Sequence, residues 1–96
     1  MTIKIHSEAR KELFEAAEYF EEQVVGLGDE FIDEIEKVLE VIEQQPSSGT
    51  KITNTERRFL VSRFPYGIIY SVDKDHITIF AVMNLRRKPG YWKSRI

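Results

Sequence analysis

The last eleven residues, RRKPGYWKSRI, carry five positive charges on Arg86, Arg87, Lys88, Lys93 and Arg95, no acidic side chain, and the adjacent pair Tyr91 and Trp92 among the cations. Upstream, the stretch RRFLVSRF adds Arg57, Arg58 and Arg63. Guanidinium groups hold phosphate or carboxylate through planar, paired hydrogen bonds, and aromatic rings beside them add apolar contact area. These residue types suit the binding of an anionic partner, with Arg58, Arg63, Arg86, Arg87, Lys88, Tyr91, Trp92, Lys93 and Arg95 as the candidate contacts. For Tyr91 and Trp92 the competing role is to anchor the tail against the fold, since both carry large apolar surfaces.

The rest of the chain offers little other chemistry. There is no cysteine, which excludes disulfides and thiolate metal sites. His76 follows the polar DKD and His6 precedes Ser7, so both read as turn or cap residues rather than catalytic bases. Glu12, Glu15, Glu18, Glu21 and Glu22 are spread around one helix, as a solvated face would be and a metal cluster would not. The GLG triplet lacks the spacing and the following Lys-Ser/Thr of a phosphate loop. No metal and no cofactor are expected. Met1 runs directly into a strand-like stretch with no signal core or long apolar run, which predicts a cytoplasmic protein with no membrane partner.

Charge is divided unevenly along the chain. Residues 1–45 hold four basic and thirteen acidic side chains, a net −9, whereas residues 46–96 hold ten basic and three acidic, a net +7. Such asymmetry points to an anionic partner for the second half, or to neutralisation of one half by the other inside the fold.

The elements that must position these groups follow from periodicity. TIKIH alternates Ile3 and Ile5 with polar neighbours, the period of a strand, and Ser7 is placed to cap a helix. Leu13, Ala16, Ala17, Phe20 and Val24 recur at helical spacing until GLGDE. A second helix from near Asp29 aligns Phe31, Ile35, Val38, Leu39 and Ile42 and ends at QQPSSGT. RRFLVSRF, YGIIYSVD and HITIFAVM then read as three strands, with Tyr66 and Tyr70 on one buried face and Pro65 interrupting the ladder. Short connections make them antiparallel neighbours. The expectation is one α+β domain over residues 1–96, in the order β-α-α-β-β-β, with a helical hairpin on one face of a mainly antiparallel four-stranded sheet. The other face would be an open cradle where Arg86 and Arg87 approach an arginine of the first meander strand.

GLGDEF, RRFLVSRFPYGIIYSV and ITIFAVMNLRRKPGYWKSR together resemble the RelE/ParE superfamily of bacterial and archaeal toxins. The most specific part is Arg-Phe-Pro-Tyr-x-Ile-x-Tyr, Arg63 to Tyr70, followed by Arg-Arg-x-Pro-x-Tyr-Trp, Arg86 to Trp92. The resemblance implies the toxin of a type II toxin-antitoxin or plasmid stabilisation module. It would be neutralised by a cognate acidic antitoxin, either as a homodimer or as a heterotetramer with that antitoxin.

Two activities share the fold: RelE-like members cleave messenger RNA in the ribosome, and ParE-like members inhibit DNA gyrase. For a RelE-like enzyme the resemblance implies Arg63 and Arg87 as cations around the phosphorane and Tyr91 for stacking or proton transfer. Many relatives carry histidine where this chain has Asn84, which cannot titrate. Asn84 and the long hairpin with its GLGDEF link favour the ParE-like activity. An inactive, antitoxin-binding relative is the third reading.

Overall fold

A computed structural model describes all residues, Met1–Ile96. The strands are β1 (Thr2–Ile5), β2 (Thr50–Lys51), β3 (Glu56–Leu60), β4 (Tyr66–Asp73) and β5 (His76–Asn84), and the helices are α1 (Ser7–Gln23) and α2 (Leu27–Gln44), with a short 3-10 turn at Lys93–Arg95. They form one mixed sheet in the order β1-β5-β4-β3-β2. β1 pairs parallel with β5, setting Ile3 beside Ile77 and Ile5 beside Ile79, and all other pairs are antiparallel. The α+β class and the helical hairpin match expectation, but the sheet has five strands rather than four. The extra strand is β2, whose two residues pair Thr50 with Arg58 and Lys51 with Arg57; two residues are too few to display a period.

Helix boundaries also shift. The His6 ring, not Ser7, caps α1 by accepting the Glu8 N–H at 3.1 Å. The helix stops at Gln23, so Val24 leaves the apolar stripe and is exposed. α2 begins at Leu27, before Asp29, after Gly26 turns the chain at φ +89°. Glu21 accepts from the N–H groups of Gly26 at 2.8 Å and Gly28 at 3.0 Å, satisfying donors that a helix start leaves free. A Cβ at Gly28 would lie 2.5 Å from the Ala17 carbonyl oxygen, so glycine is what lets the hairpin close. No helix is long and apolar enough to cross a membrane.

The hairpin and sheet enclose the main core, in which Phe31, Ile35, Val38 and Ile42 of α2 meet Ile68, Tyr70, Ile77 and Ile79. Burying each such side chain contributes about 1.5–3 kcal/mol. Tyr70 is wholly buried, and its hydroxyl accepts from Gly49 N–H at 2.9 Å while donating to the Pro46 carbonyl at 2.8 Å. Between Ile69 and Tyr70 the register with β5 slips, because Ile69 faces Ala81 and Tyr70 faces Ile79. Phe80 is therefore the extra residue of a bulge. That shift keeps Ile77, Ile79 and Val82 on the helix side and puts Phe80, Ala81 and Met83 on the other.

Candidate functional site

The face of the sheet away from the helices is not an open cradle. The C-terminal tail crosses it, and Trp92, only 2% exposed, packs with Ile69, Phe80, Ala81 and Met83, with Tyr91 alongside. Trp92 is thus first an anchor, and its place among the exposed contact residues is corrected: a side chain 2% exposed offers a partner only a small part of a groove floor.

The tail is held at a residue that the sequence reading placed on a solvated face. Glu12 of α1 is largely buried. It accepts from Arg95 Nη1 at 2.8 Å and Nη2 at 3.0 Å, from the Tyr91 hydroxyl at 2.7 Å, from Arg87 Nη1 at 3.4 Å, and from the Val82 N–H beside the bulge at 3.0 Å. The Arg87 guanidinium also lies 3.8 Å from the centre of the Tyr91 ring, close enough for cation–π attraction. Arg95 completes its environment by donating to the Phe80 carbonyl at 3.0 Å. It is therefore a largely covered structural cation whose guanidinium is already engaged, and it is likewise removed from the exposed contact set. Burial first, and the bond to the Glu12 carboxylate second, hold the Tyr91 phenol well above its ordinary value of 10.0. The hydrogen bond to Glu12 raises the pKa of Arg95, so the cluster is a charged and fully bonded lock.

Arg63 lies elsewhere. β3 ends at Leu60, and the chain turns with Arg63 at φ +71°, a left-handed conformation that is uncommon for a residue with a side chain. Its Nη2 donates to Glu30 at 2.7 Å, and Nη1 lies 3.9 Å from the buried Glu34 of α2. The bond to Glu30, foremost, raises its pKa. Arg63 shares no partner with Arg87 or Tyr91, so the structure brings two of the three RelE-type residues together and leaves the third, in the β3–β4 connection, paired with α2.

Asn84 closes β5 and accepts the Arg86 N–H at 2.9 Å. Burial, opposed by a hydrogen bond from Asn84, raises the Tyr66 phenol. His76 contacts Asp75 at 3.3 Å beside the β4–β5 turn, as a turn residue should.

Of the candidate contact residues, the cations free of any ion pair are Arg86, Lys88 and Lys93 on the tail and Arg58 on β3. Arg58 and Lys93 border one groove of about 200 Å³ on the face that carries the tail, floored by Ile69, Met83 and Trp92. The Arg58 Nε is buried without a hydrogen-bond partner, which costs free energy until an acceptor arrives. Leu60 and Leu85, both exposed, continue the apolar surface beyond it. This groove is a charged and apolar docking strip, narrower than the cradle expected from sequence.

Comparison with known proteins agrees with the fold. The family model described as the ParE toxin of type II toxin-antitoxin system, parDE, matches residues 3–89. A solved structure described as the chromosomal ParDE TA system from P. aeruginosa is similar to this chain with a TM-score of 0.75 and 15% identity, over 90% of this chain and 97% of that one. No curated protein matches the sequence.

Proposed function

The chain belongs to the ParE toxin family of type II toxin-antitoxin systems, and from that premise we propose that it inhibits DNA gyrase in the ParE-like manner while free of its antitoxin. One observation carries the choice of activity. Metal-independent RNA cleavage needs a base, an acid and cations converging on one phosphate, yet Arg63 is engaged by Glu30 and Glu34 while Arg87 and Tyr91 are gathered at Glu12. The Tyr91 proton is directed into a carboxylate and its pKa is raised, which disfavours a role as base. These features suit a protein that acts by binding.

The antitoxin is an acidic segment that folds on contact, burying apolar residues against Leu60, Leu85 and the groove floor while a carboxylate meets Arg58. An interface of on the order of 2,000 Å² is expected for a long-lived pair. The deciding measurement adds purified protein to gyrase supercoiling assays and to programmed ribosomes. Inhibition of supercoiling, weakened by added salt and by Arg86→Ala, with messenger left intact, supports the reading. Cleavage of ribosome-bound messenger without effect on gyrase overturns it.

A further inference from the structure

At the opposite margin of the sheet, Lys51 of β2 stands directly across from Arg57 of β3. Like charges in direct cross-strand register repel, and neither cation has a carboxylate within ion-pair distance. Arg57 is nevertheless fixed: its Nη1 donates to the Ser47 carbonyl at 3.0 Å and the Gly49 carbonyl at 2.8 Å, which leaves Nη2 and Nε free. Both cations line a cavity of about 520 Å³, together with Ser47, Asn54, Ser71 and Asp73. No aromatic ring lines it.

We propose that this cavity is a phosphate-binding site. A tetrahedral anion accepts from several directions at once, and the free edge of Arg57, the Lys51 ammonium and the Ser47 hydroxyl supply donors from β3, β2 and the connection before it. The anion removes the repulsion between Lys51 and Arg57, which gives the pairing of two cations a physical reason. Asp73 borders the same space without pairing with either cation and lowers the affinity for a dianion, keeping binding reversible. The site lies apart from the tail and its groove, and it goes beyond the gyrase reading. A free phosphate compound and a nucleic-acid backbone share the chemistry, and the experiment separates them.

The test is calorimetry of the full chain with sodium pyrophosphate and, separately, with a short DNA duplex at fixed salt. Binding of pyrophosphate alone assigns a free ligand, and binding of the duplex with competition from pyrophosphate assigns backbone phosphate. In either case Lys51→Ala raises Kd about tenfold, the size of one lost charge-assisted contact. Lys51→Arg restores affinity and Asp73→Asn tightens it, while Lys4→Ala on the far edge strand changes nothing. For the duplex, Lys51→Ala also reduces the salt slope by about one. The Lys51 side chain makes no hydrogen bond within the protein, so the variant is expected to keep the parent's unfolding temperature. Absence of binding by both probes, or affinities unmoved by Lys51→Ala and Asp73→Asn, overturns the proposal. Supercoiling is not a readout here, so this result and that of the gyrase assay stand separately.

Discussion

The Tyr91 hydroxyl donates to Glu12 Oε2 at 2.7 Å across a sequence separation of 79 residues. This contact, with Arg95 on the same carboxylate, ties the first helix to the last residues and seats the tail on the sheet. It also explains part of the opposed charge of the two halves. Glu12, with Glu30 and Glu34 on Arg63, neutralises cations of the second half, while Arg86, Lys88 and Lys93 remain unpaired.

Replacing Glu12 should be among the most damaging changes in the protein. Glu12→Ala leaves Arg95, the Tyr91 hydroxyl and the Val82 N–H without their acceptor, and breaking a buried pair on one side costs about 3–5 kcal/mol. Glu12→Gln keeps acceptors and loses less. Urea unfolding at unchanged m-value measures the difference, and equal midpoints for Glu12→Ala and the parent would rule out the lock.

Stability should decline in alkaline solution. The Tyr91 phenol is held above 10.0 in the folded chain, so the unfolded chain loses that proton first. The associated stabilisation is complete below pH 10 and is lost as pH rises toward the folded value. Tyr66 shifts in the same direction. Tyr91→Phe should flatten the alkaline limb of the stability curve, and an unchanged limb would count against the assignment.

Trp92 is the single tryptophan and its fluorescence reports the tail. The folded protein should emit at short wavelength and shift red on unfolding. Trp92→Ala removes the cover from Ile69, Phe80 and Met83, at a cost of about 3–5 kcal/mol. Deleting residues 86–96 would unseat the same core, so loss of antitoxin binding by a truncated chain would not isolate the tail's contacts.

Point changes in the groove probe antitoxin binding more cleanly. Arg58→Glu should weaken association by about 2 kcal/mol or more, roughly thirtyfold in Kd, through faster dissociation. Lys88→Ala, at the rim, should act mainly on the association rate and its salt dependence. Equal dissociation rates for Arg58→Glu and the parent would place the interface elsewhere.

The Arg63 turn carries its own test. Glycine adopts a positive φ without steric penalty, so Arg63→Gly should retain more stability than Arg63→Ala although both lose the bond to Glu30. The reverse order in thermal unfolding would mean that the turn is not held in its left-handed form.

What the sequence determined by itself is the local pattern: two amphipathic helices, alternating strands, the α+β class, and the two arginine motifs that mark the family. Periodicity reports which face of an element is apolar, and that information lies within a few residues. Tertiary structure decided the rest. β2 exists only because Thr50 and Lys51 meet β3, the Phe80 bulge breaks an alternation that looks continuous in HITIFAVM, and Arg63 leaves its strand one turn after Leu60. Glu12 and Glu21 looked like two members of a solvated acidic face, yet one locks the tail and the other caps α2. A carboxylate on a helix is solvated or buried according to what folds over it, and for Glu12 that cover arrives from the other end of the chain.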